Sequence, residues 1–281
     1  IGRGCYHQCE FCSIHSYYNQ QYSHRSIETI IEEIKLCSNK IFFFVDDSIF
    51  SDKEFAKELF TEVAKLNIIW VTQVTLDIGR DEDLLRLMKK SGCEMILIGF
   101  ESIDPDNLRQ MNKSWTTRLG ERDELIERIH NNGISIYASF VFGFDYDNEE
   151  SFEKNLEFCN HHQFFVTAFN HLLLFPNTET YEKFKKEERL SHDKWWLSEG
   201  YTFGTISFKP KLVTDDELKN LCRIYKKKYF AFSSIFKRGI TLFKRTKRPL
   251  INLVYWIQNI LFHFEVDKRF GIPVGENLDE K

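Results

Sequence analysis

Three cysteines stand together near the start of the chain, in Gly4-Cys5-Tyr6-His7-Gln8-Cys9-Glu10-Phe11-Cys12, with the spacing C-x3-C-x2-C. One loop of this length can bring three thiolates onto a single metal centre. Soft sulfur ligands select zinc or an iron-sulfur cluster. A cubane cluster ordinarily takes four cysteines, and the next one, Cys37, lies inside a helical pattern. The spacing therefore leaves one iron of a [4Fe-4S] cluster without a protein ligand. A structural zinc is the competing reading, with His7 or His15 as fourth ligand. Zinc sites built on C-x2-C usually show a second cysteine pair later in the chain, and this sequence has none.

A ligand loop needs a frame, and the apolar patterning supplies one. Ile27, Ile30, Ile31 and Ile34 recur at helical spacing after Ser26, a residue type that caps helices. Ile41-Phe42-Phe43-Phe44-Val45 is an unbroken apolar run, as in a strand covered on both faces, and it ends in Asp46-Asp47. Helix over 52–66, strand over 68–74, helix over 81–90, strand over 95–100, helix over 117–131 closed by Gly133, strand over 134–142, helix over 149–161 and strand over 164–174 follow. Such alternation with apolar strands predicts a parallel sheet covered by helices. Chemistry in these sheets collects at the carboxyl ends of the strands. There the sequence places Asp46 and Asp47, Gln73 and Asp77, Glu101 and Ser102, and Gly143 and Asp145, whereas Asp52 and Asp81 read as helix caps.

The alternation stops near Glu188, which predicts two parts: an α/β core over 1–187 and a mostly helical, basic extension over 188–281. In the extension, Thr214 and Glu217 form a capping box for a helix running toward Phe236, and a second helical pattern spans Leu250 to Phe264. Charge separates the parts as well. Residues 205–281 hold 16 Lys+Arg and 8 Asp+Glu, a net of +8, against −12 for residues 1–204 and −4 for the whole chain. The basic runs alternate with Phe and Trp. Such a pattern serves a solvated helix face whose apolar side packs on the core, or an anionic membrane surface; nucleic acid is not expected. No apolar run reaches the roughly 18 residues of a membrane span and no leader is visible, so a cytoplasmic location follows, with peripheral membrane contact left open. Cys37, Cys93, Cys159 and Cys222 sit in apolar contexts and read as buried, reduced thiols. The chain begins at Ile1, directly before the cysteine loop, and is expected to be part of a longer protein.

The cysteine spacing, Arg3-Gly4 before it and the aromatic Phe11 before its last cysteine resemble the signature of the radical SAM enzymes, and Gly99-Phe100-Glu101-Ser102, the run after Leu174 and the helical tail resemble the branch with a cobalamin-binding domain. That resemblance implies a partial (β/α)6 TIM-like barrel, its first strand truncated here. It also implies a [4Fe-4S] cluster on Cys5, Cys9 and Cys12 whose open iron is held by the amino and carboxylate groups of S-adenosylmethionine (SAM), with Phe11 beside the adenine. Asp46 or Asp47 corresponds to the polar residue that accepts from the SAM amino group, without the Gly-Gly-Glu triplet found elsewhere. Glu101 is implied as a SAM or active-site contact, with Gln73 as a further cofactor contact and Gly143 beside the adenine. Phe175-Pro176-Asn177-Thr178-Glu179-Thr180-Tyr181 resembles a Pro-Gly-Thr-Pro-x-Tyr run, departing at Asn177 and Glu179.

The implied chemistry is one-electron cleavage of SAM to methionine and a 5′-deoxyadenosyl radical that abstracts hydrogen. It draws on an electron donor of the flavodoxin or ferredoxin type and acts on a small molecule, with a lipid-like one suited to the aromatic chain. A cobalamin domain ahead of Ile1 would make the reaction a methyl transfer to an unactivated carbon. Ring formation, sulfur insertion and a non-catalytic zinc protein are the alternatives, and the cysteines supply no second cluster for sulfur insertion.

Overall fold

A computed structural model describes residues 1–272 except 120, 121, 199, 247 and 269. The cysteine loop and α1 (Ser13–Tyr18) lie between two short antiparallel strands, β1 (Gly2–Gly4) and β2 (Tyr22–His24). Next come α2 (Ile27–Leu36), β3 (Ile41–Phe44), α3 (Lys53–Val63), β4 (Ile69–Val74), α4 (Glu82–Lys90) and β5 (Cys93–Glu101). They are followed by α5 (Pro105–Gln110), α6 (Arg122–Asn131), β6 (Ser135–Phe142), α7 (Glu149–His162), β7 (Val166–His171) and α8 (Glu179–Lys186). β3 to β7 form one sheet in chain order with every neighbour parallel. The architecture is the expected α/β partial barrel. The short first strand, however, pairs with β2 and not with the barrel sheet.

Local chemistry sets the helix starts. Ser26, Asp52 and Asp81 each accept a backbone N–H three residues on, at 3.3, 3.0 and 3.0 Å, as their positions predicted. The helix side of the sheet is fully packed: Trp70, Ile96, Ile98, Ile136, Ala138 and Phe140 are buried, and Trp70 stacks on Phe60 of α3 with ring centroids 4.6 Å apart. The other face corrects an expectation. Ile41, Phe43 and Val45 are 68%, 54% and 66% exposed rather than covered on both sides. β3 is an edge strand, and these side chains alternate onto the sheet face away from Trp70 and α3, where they are exposed.

Three further differences have local causes. The helix expected from residue 117 begins at Arg122, after a 3-10 turn over Ser114–Leu119. Cys37 is exposed beyond the end of α2, whereas Cys93, Cys159 and Cys222 are buried. The helix expected to reach Phe236 is two, α9 (Asp215–Tyr229) and α10 (Phe232–Thr246), followed by α11 (Pro249–Glu265). Buried Arg238 of α10 explains that break. Its guanidinium donates to the Tyr229 carbonyl that ends α9 at 2.9 Å, and to the Phe165 carbonyl and Asn259 Oδ1 at 3.3 and 3.1 Å. One satisfied buried cation thus fastens α9, α10 and α11 to the strand that opens β7.

Candidate active site

The cysteine loop is braced by hydrogen bonds to two neighbouring segments. Glu10 N–H donates to the Met111 carbonyl (3.1 Å), Asn112 Nδ2 to the Gln8 carbonyl (3.0 Å), and Thr180 N–H to the Glu10 carbonyl (3.1 Å). The segment after α5 and the start of α8 therefore fix where the thiols point. Asn177, which departs from the expected glycine, has φ +64°, the left-handed conformation that asparagine tolerates. Thr178 beside it caps α8 by accepting from Tyr181 N–H at 3.2 Å. The substitution keeps the turn.

Cys5, Cys9 and Cys12 open onto one cavity of about 290 Å³ at the carboxyl ends of β4 and β5. Phe11, Asp47, Gln73, Glu101 and Lys113 line it too, with His7 stacked on Trp115 at 4.0 Å between ring centroids. Burial pushes the Cys5 thiol up and the Cys9 thiol to about 11. Bare thiolates are disfavoured in such a place, and a bound cationic iron centre would reverse that preference. Burial likewise holds His7 down to about 4, and its Nε2 has no partner.

Adjacent Asp46 and Asp47 take separate jobs. Asp46 is buried beneath β1, where its Oδ1 accepts from Gly2 N–H. Asp47 faces the cavity and its Oδ2 accepts from Gly4 N–H at 2.8 Å. Gln73 reaches the same place and donates through Nε2 to the Asp46 carbonyl.

Glu101 has φ +62° at a register shift in the β5–β6 pairing. A left-handed non-glycine residue at a bulge re-aims its side chain, and here the carboxylate meets Lys113. Lys113 Nζ donates to Glu101 Oε1 at 2.9 Å and to the Gly99 carbonyl at 2.8 Å. Burial works against the Lys113 ammonium, but Glu101 together with the Cys9 and Cys12 sulfurs offsets it and the pKa is raised. This buried ion pair at the floor of the thiol cavity was not read from the sequence. Lys113 follows a helix end with no periodic or motif signal; only the fold brings it to the strand end.

Gly143 does not join this cavity. Its φ is +114°, and a Cβ there would meet Phe208 Cζ at 2.6 Å and Leu218 Cδ2 at 3.0 Å, so the bare Cα serves packing against the C-terminal segment. Beside it lies a second cavity of about 350 Å³, lined by Phe11, Val141, Phe169, His171, Leu172, Phe203, Cys222 and Phe270 among others. Phe11 borders both cavities. His171 is the second site residue the sequence reading missed: it ends β7, its Nε2 has no partner, and burial holds its pKa down to about 4.

A parallel partial barrel with three clustered thiols over its carboxyl edge defines an α/β protein with a thiolate site for a soft metal centre. The Radical SAM superfamily profile matches residues 1–159, and the chain belongs to that superfamily, whose members use a [4Fe-4S] cluster and SAM. The chain is 28% identical over 269 residues to the bacteriochlorophyllide d C-12(1)-methyltransferase of Chlorobaculum tepidum, covering 93% of this chain and 56% of that protein. It is 27% identical over 200 residues to the hopanoid C-2 methylase of Rhodopseudomonas palustris, covering 68% and 38%. The chain thus spans about half or less of the length of these relatives. Among solved structures, the radical SAM methyltransferase TsrM from Kitasatospora setae with cobalamin and a [4Fe-4S] cluster bound superposes with a TM-score of 0.60 at 17% identity, covering 78% of this chain and 45% of that one. The cobalamin-dependent radical enzyme OxsB with aqua-cobalamin and SAM bound gives 0.60 at 12% identity, covering 94% and 45%. Family membership favours the cluster over the structural zinc.

Proposed function

We propose that the chain is the radical-generating part of a cobalamin-dependent C-methyltransferase acting on a predominantly apolar small molecule. The observation that carries this reading is the pair of cavities joined at Phe11, one lined by thiols and charged groups and the other by apolar side chains. Both named relatives are methyltransferases, and both structural neighbours carry cobalamin. We assign residues 1–187 to the barrel and 188–281 to the extension that closes the apolar cavity. Cobalamin would be held by a portion of the protein outside these 281 residues.

In this reading Cys5, Cys9 and Cys12 hold the cluster, and Phe11 flanks the adenine of SAM. Asp47 and Gln73 present acceptors to the SAM amino group, while Glu101 and Lys113 hold the cavity floor polar and neutral overall. Asp46 is a positioning residue that fixes β1, and Gly143 acts through packing. When bound, the cluster supplies the single electron that cleaves SAM to methionine and a 5′-deoxyadenosyl radical. The protein's own tasks are to orient SAM, keep water out and set the substrate carbon beside Phe11. A soluble flavodoxin or ferredoxin-type protein is the fitting source of the electron.

The test is anaerobic reconstitution with iron, sulfide, SAM, cobalamin and a low-potential reductant, assayed on the protein that contains this chain. Release of 5′-deoxyadenosine and a product heavier by one methylene are expected. Deoxyadenosine without methylated product across apolar polycyclic candidates would leave a radical SAM enzyme of another reaction type.

A further inference from the structure

The C-terminal hairpin carries a surface that the site does not use. Between Phe232 and Phe264 there are six Lys+Arg and no Asp or Glu. α10 buries Ile235, Arg238 and Leu242, yet on the flank of that stripe Phe232, Phe236 and Phe243 are 54%, 60% and 63% exposed. α11 likewise exposes Leu253, Ile257 and Leu261 while burying Tyr255 and Asn259. The two helices cross closely at Gly239, where a Cβ would meet the Trp256 ring at 2.5 Å. Their exposed stripes join through Phe236 against Trp256 and Phe232 against Phe264, with ring centroids 6.1 and 6.2 Å apart. The stripes thus meet along the hairpin, and α11 carries a depression of about 350 Å³ lined by Val254, Ile257, Leu261 and Phe262 with Gln258 and Glu265 at its polar side. Contiguous exposed apolar surface of this kind marks an interaction site.

We propose that this face lies on an anionic lipid bilayer and docks the enzyme there peripherally. The placement of charge selects the occupant. Phe236 is followed by Lys237 and Phe243 by Lys244, all exposed. Lysine is depleted from protein interfaces. At a membrane surface its stem covers apolar area while its ammonium reaches the headgroups. Among the described residues no helix is long and apolar enough to cross a membrane, so the contact is with the surface. The inference stands apart from the reaction proposed above, because it needs neither cluster nor substrate.

Co-sedimentation of the full chain with vesicles of phosphatidylglycerol, compared with phosphatidylcholine, tests it. Binding to the anionic vesicles that weakens at high salt is expected. Phe236→Ser, Phe243→Ser and Leu261→Ser together should lower it by at least about tenfold, given the apolar area each side chain contributes. Lys237→Glu with Lys244→Glu should remove most of the preference for anionic lipid. Circular dichroism of each variant must match the parent, as expected for exposed positions; a variant that unfolds is replaced by a single substitution from the same set. Equal binding by parent and variants overturns the proposal. So does a dimer that the serine substitutions dissociate, which would make the occupant a second copy. A longer protein containing this chain that ignores vesicles overturns it too, because its other part would then cover the face.

Discussion

The two cavities that meet at Phe11 are built on different principles. The thiol cavity is determined by hydrogen bonds: its loop is tied to Met111, Asn112 and Thr180, and its floor is a buried ion pair. The apolar cavity is determined by packing, with Val141 and Phe169 from the sheet facing Phe203, Cys222 and Phe270 from the C-terminal segment. Directional bonds fix atoms to a fraction of an ångström, as radical generation requires. An apolar wall tolerates change of shape, as substrate choice among relatives requires. On the reading proposed above, the hydrogen-bonded cavity would serve radical generation and the apolar one, walled by both barrel and extension, substrate selection.

The largest effect that would break this division is at the thiols. Cys9→Ala should abolish both iron uptake at full stoichiometry and deoxyadenosine formation, a loss of at least about a thousandfold if the cluster supplies the chemistry; turnover near the parent rate would end the assignment. Filling the other cavity should separate the two functions. Val141→Trp is expected to lower substrate methylation by about a hundredfold or more, because overpacking excludes the ligand, while deoxyadenosine release with SAM alone stays near the parent level. Loss of both would show that the cavities are not independent.

The ion pair allows a sharper measurement. Lys113→Met leaves Glu101 buried and uncompensated, which should cost about 3–5 kcal/mol in chemical denaturation, with Glu101→Gln restoring much of it in the double variant. An additive double variant would mean the two groups do not act as a pair. The smallest expected effect is at His171. Burial depresses its pKa from 6.5 to about 4, so the folded state resists protonation that the unfolded chain accepts. Stability present above pH 6.5 should fall as pH drops toward 4, by about 3 kcal/mol, and His171→Gln should flatten that decline. An unchanged slope would place His171 in contact with water.

Much of this was legible in the sequence, and the failures share a cause. Cysteine spacing, alternation of apolar strands with helices, and the caps at Ser26, Asp52, Asp81 and Thr214 are local signals, and each found its place in the structure. Asp46 and Asp47 could not be told apart, because neighbours in extended backbone point to opposite sides. Lys113 and His171 carry no local signal, since their roles arise only where distant segments meet. Gly143 was read as yielding to a ligand, while its neighbours are Phe208 and Leu218. The apolar pattern of α10 and α11 was legible but left two readings, packing on the core or contact with an anionic membrane surface, because a helix apolar on two sides does not announce which side packs.

On the proposed reading, Cys5, Cys9 and Cys12 grip a cubane with one iron free for SAM. Mössbauer spectroscopy of the protein reconstituted with 57Fe tests it most directly. About four irons per chain are predicted, with one of them shifting its isomer shift when SAM is added. A single bound zinc, or four irons indifferent to SAM, would contradict it.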